Sequence, residues 1–170
     1  MLSAFLKRLL FARQFFIING KIEVLGVKQI MMPSDTILGL QNMDEKKSYD
    51  IMKKSSTENM RLFAKKLGAS GEGLLKDIQD VYETFGLGAM EIVDLDQKKK
   101  RAIIRIRESP IAIANMQKSK RSSKVVCSSI AAVLSGAFTF LFNSNVDAVE
   151  KVCLAQGKDF CEFVIQSKKA

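Results

Sequence analysis

The chain contains no histidine and no tryptophan. The first absence removes the commonest general base and the commonest metal ligand together. A histidine-dependent triad is excluded, and any bound metal must be held by sulfur and carboxylate. Proline is almost absent, at two residues, and ten glycines leave no room for a long unstructured linker. Cysteine is scarce and odd in number, three in all. A disulfide-stapled secreted scaffold would show a larger, even set, so the thiols read as reduced and the protein as cytoplasmic. No apolar run is clean enough to span a membrane: the longest, 125–142, is interrupted by Ser128, Ser129, Ser135, Gly136 and Thr139. Near the N-terminus, Lys7 and Arg8 fall inside the apolar run and no small-residue cleavage site follows, which argues against a signal peptide.

What remains is the composition of a soluble globular protein, and 170 residues suit one domain, 1–170, with a substantial core. The net charge of +9 is concentrated in Lys98-Lys99-Lys100-Arg101 and in the stretch from Lys118 to Lys124. Such clusters suit nucleic acid or anionic surfaces, but these lack interleaved aromatics and match no helix-turn-helix pattern. They read as solvated turn and loop.

Periodicity divides the chain into three parts. In 1–33, an amphipathic helix over 2–12 carries Leu2, Phe5, Leu6, Leu9 and Leu10 on one face. It packs against the body or a second subunit, with contact to a membrane surface as the alternative. A hairpin near 14–32 turns at Asn19-Gly20, where both positions favour positive φ, and ends at Pro33. In 34–86, Ser34 and Asp35 are candidate caps for a short helix through about Leu40. A long helix follows from Asp44 to Leu67 with Gly68 as its stop. After a loop holding Gly71 and Gly73, a third helix carries the stripe Leu74, Ile78, Val81, Tyr82 and Phe85. That stripe is most simply core; alternatively it lines a ligand cavity. From Gly88 the period becomes two, and 89–95 and 101–107 read as strands, the second burying Ala102, Ile104 and Ile106. Ser109-Pro110 stops that strand, and 111–124 is open between short helix and extended chain. A buried helix over 127–142 and a closing hairpin, 146–152 and 160–165, complete an α+β pattern: an antiparallel sheet with helices packed on it.

All three cysteines fall in the last third, with one well-placed glutamate: Cys127, Glu150, Cys153 and Cys161. Singly, each cysteine would be a small buried hydrophobe. Together, three thiols and a carboxylate are a tetrahedral donor set for zinc. Cys127 begins a helix, Cys153 and Cys161 flank a turn, and Glu150 lies in an apolar strand where an unpaired carboxylate would be costly. One geometric condition follows. Residues 150 and 153 of a regular strand face opposite ways, so the chain must bulge or leave the strand before Cys153. Four protein ligands close a site, as in structural rather than catalytic zinc. The set carries a net charge of −2 around zinc, which Lys124, Lys151 or Lys158 would offset.

The segment Cys127-Ser128-Ser129, Leu134-Ser135-Gly136 and the run Glu150-Lys151-Val152-Cys153-Leu154-Ala155-Gln156-Gly157-Lys158-Asp159-Phe160-Cys161-Glu162-Phe163 resembles the vinyl reductase (hydrocarbon-binding) domain. That domain is similar to the sensor region of phenol-responsive activators and, more remotely, to subunits of the transport-particle tethering complex. The match is firm over 100–166. The resemblance implies a ligand-binding α+β fold, usually dimeric, enclosing a cavity for small apolar or aromatic molecules. It implies zinc on Cys127, Glu150, Cys153 and Cys161, where the metal buttresses the pocket and does no chemistry. The phenol sensors hold the hydroxyl with a histidine and a tryptophan, which this chain lacks; Ile104 and Ile106 stand on the matching strand. Ala131 and Ala148 fall at further pocket positions, and for all four residues a core role competes with a ligand role.

The expectation is a zinc-stabilised small-molecule-binding domain acting as sensor or carrier, a homodimer that signals through a separate partner protein. The alternative is a ligand-free adaptor of the same fold. A reductase acting on a vinyl group has no nicotinamide or flavin fingerprint behind it, so no enzyme is expected.

Overall fold

The computed structural model describes residues 3–68, 72–119 and 121–167. Leu2, Gly71 and Lys120, which enter the readings above, lie outside the described residues. Helix α1 spans Ala4–Phe11 and buries Phe5 and Leu9, with Ser3 accepting from the Leu6 N–H as its cap. Strands β1 (Phe15–Ile18), β2 (Lys21–Val24) and β3 (Val27–Gln29) follow as an antiparallel meander. The expected Asn19-Gly20 turn is present, with φ of 50° and 73°. A second tight turn at Leu25-Gly26, φ 53° and 81°, adds a third strand to the expected hairpin. Leucine in the left-handed region is strained, and its burial to 1% exposure offsets the cost.

Helix α2 runs Ser34–Met43, longer than expected, and its N-cap is Pro33 with no side-chain bond rather than Ser34 or Asp35. Helix α3, Glu45–Leu67, begins where the Asp44 side chain accepts from Lys47 N at 3.0 Å and ends at Gly68 with φ 65°. Helix α4 is Glu72–Thr84. Strands β4 (Ala89–Asp96) and β5 (Arg101–Arg107) form the second hairpin, and α5 (Pro110–Lys118) settles the open segment as a helix. Ser109-Pro110 both ends β5 and starts α5, with the Ser109 hydroxyl accepting from Ala112 N and proline at the first turn. Helix α6 (Ser128–Phe142), β6 (Val146–Val152), a 3-10 turn (Leu154–Gln156) and β7 (Cys161–Ser167) complete the chain.

The larger sheet has the order β4-β5-β7-β6, all antiparallel. Its inner face is built of Ala102, Ile104, Ile106, Phe163 and Ile165, each fully buried. Helix α6 lies along this sheet and closes its β6 edge. The Ser135 hydroxyl accepts from Ala148 N at 2.7 Å, and the Thr139 hydroxyl accepts from Val146 N at 3.3 Å. These bonds satisfy strand donors that an open edge would leave bare. Helix α3 crosses α6 at Gly136, where a Cβ would lie 2.5 Å from Ser56 Cβ and would meet the Lys53 carbonyl. Ser56 and Thr57 donate to the carbonyls of Val133 and Gly136 at that crossing. The architecture is α+β, as the sequence pattern implies.

Candidate metal centre and the neighbouring apolar cleft

The last hairpin brings the cysteines together through one irregularity. Between β6 and β7, Glu150 pairs with Phe163 and Val152 with Glu162, so Lys151 is an extra residue. This β-bulge resets the alternation and returns Cys153 to the face of Glu150. On the neighbouring strand Cys161 opens β7 opposite Ile106. Cys127 arrives from the N-cap position of α6, where its thiol makes no cap to the helix.

The three sulfurs form a near-equilateral triangle, with Sγ–Sγ distances of 3.7 Å (127–161), 3.9 Å (153–161) and 4.0 Å (127–153). A tetrahedral zinc with sulfurs at about 2.3 Å requires edges of about 3.8 Å. Disulfide-bonded sulfurs would sit near ~2 Å; these thiols are all free. Glu150 supplies the fourth donor, and the four ligand atoms lie within 4.8 Å of one another, all in buried residues. One Glu150 oxygen, Oε2, accepts from Cys127 N at 2.8 Å, while Oε1 is buried with no hydrogen-bond partner. A buried carboxylate oxygen left unpaired is expensive unless a cation satisfies it. The residues therefore fit a closed, four-ligand thiolate-carboxylate metal site.

Electrostatics make the same point. Burial pushes the Glu150 carboxyl up to about 8, assisted by its contact with Cys153. Cys153 is driven down to about 2 because Cys127 and then Cys161 direct their thiols at its sulfur. Cys127 is pushed far up by those same contacts with Cys153 and Cys161 and by burial. Protein groups alone thus support one thiolate in the cluster. A divalent cation is what would hold all of these donors deprotonated at once.

The surrounding shell is specific. Leu154 N donates to Cys161 Sγ at 3.3 Å, and Ser109 Oγ lies 3.3 Å from Cys127 Sγ. The three lysines expected to offset the charge, Lys124, Lys151 and Lys158, are exposed, and no ion pair among the described residues ties them to the cluster. Donors from the backbone and from Ser109 stand in their place. Sequence reading missed Gln41 altogether. Its amide, 3% exposed, donates to the Val126 carbonyl at 2.6 Å and accepts from Ser129 N at 3.0 Å. Gln41 thereby caps α6 in place of the Cys127 thiol and fixes the residues on either side of that ligand. A glutamine on the apolar side of a short helix was the available signal.

A separate feature lies on another face of α6. An apolar cleft of about 340 Å3 runs between α3, α4 and α6. Met60, Phe63, Ile78, Val81, Phe85 and Ala137 form much of its wall. Three of these, with Tyr82, belong to the α4 stripe for which a cavity-lining role was one of two readings. The pocket residues suggested by the family resemblance lie elsewhere. Ile104 and Ile106 are fully buried on the sheet, Ile106 opposite Cys161 and Ile104 opposite Phe163. Ala131 and Ala148, each 4% exposed, lie in the seam between α6 and β6. None of the four lines the cleft. They pack the wall between metal site and sheet. The cleft is also open to solvent at Ile51, which is 59% exposed, rather than enclosed.

Comparison with known proteins agrees with this geometry. Residues 103–167 match the family model of the vinyl-4-reductase domain. The phenol-responsive sensory domain of the transcription activator PoxR, solved with phenol, superposes with a TM-score of 0.77 at 17% identity, covering 98% of this chain and 92% of that one. A vinyl-4-reductase family protein from Methanocaldococcus jannaschii gives 0.55 at 19% identity, covering 84% and 85%. Subunit 3 of a trafficking protein particle complex from Naegleria fowleri, covalently bound to palmitic acid, gives 0.50 at 18% identity, covering 79% and 93%. No curated protein matches in sequence. The chain thus carries a vinyl-4-reductase domain with its α+β fold, as the motif around Cys127 to Phe163 indicates. No described helix is long and apolar enough to cross a membrane.

Proposed function

We propose that this chain is a cytoplasmic small-molecule-binding domain of the sensor or carrier type, stabilised by one structural zinc on Cys127, Glu150, Cys153 and Cys161. The observation that carries the metal assignment is the sulfur triangle, whose edges match a tetrahedral thiolate site, beside an unpaired buried carboxylate oxygen. The zinc, when bound, contributes cross-linking rather than chemistry, because the four protein donors leave no position for substrate. It ties the start of α6 to the last hairpin. Helix α6 in turn forms one wall of the apolar cleft through Val133 and Ala137. Likeness to a phenol sensor supports ligand binding as the use of that cleft, and no catalytic role is assigned to any residue. Cobalt substitution tests the metal site: a tetrahedral Co2+–thiolate spectrum at one metal per chain supports it, and its absence in folded protein counts against it.

The adaptor reading has its own observation. Ile17, Ile18, Ile30 and Met31 are exposed at 58–84% on the N-terminal meander and the strand that leaves it. Such a concentration suits a protein contact, either a second copy or a separate signalling partner. Light scattering of the purified chain distinguishes a homodimer from a monomer awaiting another protein.

A further inference from the structure

We infer that the cleft between α3, α4 and α6 takes a linear aliphatic amphiphile, an acyl or alkyl chain with a small polar head, rather than a single aromatic ring. This rests on the small-molecule reading above and names the ligand class. The first argument is shape. The cleft residues of α3 run from Ile51 through Met52, Ser55, Ser56, Asn59 and Met60 to Phe63, a stripe along one side of the helix. That stripe covers about 18 Å of helix axis at the standard rise per residue. The cleft's 340 Å3 spread over such a length gives a mean section of roughly 20 Å2, room for one extended chain along the helix.

The second argument is where hydrogen-bonding groups remain. Two hydroxyls reach the buried wall, and both already donate to backbone carbonyls: Tyr82 to Ile130 at 3.1 Å and Ser56 to Val133 at 2.8 Å. Inside the cleft no hydroxyl proton is left for a ligand oxygen. The remaining wall there is Met60, Phe63, Ile78, Val81 and Ala137. Methionine and aliphatic surface accommodate a flexible chain without demanding a ring geometry. Polar side chains not committed in this way occupy the accessible margin: Ser55, exposed, and Asn59 and Gln29, part-buried. Gln29 makes only a long 3.4 Å contact with the carbonyl of Val27. None of the lining residues is charged. The margin therefore suits a head group that accepts amide and hydroxyl hydrogen bonds, a carboxylate, ester or alcohol, with the tail inward.

The test is titration calorimetry on the zinc-loaded full chain with three probes: decanoate, 1-decanol and phenol. The inference predicts that the ten-carbon probes bind, and that affinity falls about fourfold for each methylene removed from the chain. Ala137→Phe, which fills the wall, should abolish binding. Asn59→Leu, at the margin, should weaken binding about tenfold while leaving the per-methylene step unchanged. Comparison of decanoate with decanol reads which head group the margin takes. Phenol binding that Ala137→Phe abolishes, with no alkyl binding, overturns the ligand class and leaves the small-molecule reading standing. If none of the three binds to folded, zinc-loaded protein, both readings fail and the adaptor reading takes their place. Should Ala137→Phe not fold, the Asn59→Leu result and the methylene series decide the matter alone.

Discussion

Glu150 turns Oε2 onto the backbone N–H of Cys127 at 2.8 Å and leaves Oε1 buried without a hydrogen-bond partner. The carboxylate therefore has two tasks, orienting the loop that presents Cys127 and completing the donor set. Glu150→Gln keeps an acceptor for the Cys127 N–H but loses the anionic ligand. The expected outcome is a folded protein whose zinc affinity falls at least about tenfold, measured by competition with a chromophoric chelator.

Cys153 lies at the corner where hairpin and helix meet, 3.9–4.0 Å from both other sulfurs. Cys153→Ser is expected to lose the metal and to lower the melting temperature by about ten degrees or more. Chelator treatment of the wild-type chain should produce a comparable loss, recovered on adding zinc back. Calorimetry of the two samples side by side is the check.

The metal-free and metal-loaded proteins should respond to pH with opposite sign. Without metal, the folded pKa of Glu150 is raised from 4.5 to about 8. The folded state then holds a proton that the unfolded chain has released. Its contribution to stability is whole below about 4.5 and is lost as pH rises through 8. With zinc bound the donors must be deprotonated, so acid competes with the metal and stability falls toward low pH. Urea midpoints recorded across that window, with zinc and with chelator, should diverge in slope. Parallel curves would place Glu150 outside the metal's coordination.

Gln41 is predicted to matter although it touches no sulfur. Gln41→Leu strands the Val126 carbonyl and Ser129 N–H in the interior and should cost about 2–4 kcal/mol by denaturant titration. It should also loosen zinc, since both bonds flank Cys127. A loss of stability with unchanged zinc affinity would assign Gln41 to the helix cap alone.

Two glycines in helices make a paired prediction about packing. Gly136→Val forces α3 away from α6 and should cost about 3 kcal/mol. Gly39→Ala in α2 meets nothing within 4 Å and should stabilise by about 0.5–1 kcal/mol. Thermal melts of the two variants test the close crossing against an open helix face.

Much of this was legible in the sequence, because its signals were local. Alternation in Ala102, Ile104 and Ile106 marks the buried face of β5, and Asn19-Gly20 fixes a turn by its backbone preference alone. The motif spanning Cys127 to Cys161 requires a bulge before Cys153, and Lys151 is the extra residue. What escaped depends on packing between distant elements. The Leu25-Gly26 turn has no strong local signature, since tertiary burial holds leucine at positive φ. Gln41 lies 85 residues from Val126. A cleft wall and a core stripe share one pattern, so Met60, Phe63 and Ile78 could not be told from core, and the sheet residues Ile104 and Ile106 were the better-placed candidates by resemblance.

Native mass spectrometry of the intact chain tests the central claim most directly, because it reports metal and bound small molecule in one spectrum. The account predicts one zinc per chain with all three cysteines reduced, and a mass increment that an alkyl amphiphile restores after delipidation. A folded, metal-free chain whose melting temperature is unmoved by zinc or by chelator would contradict it.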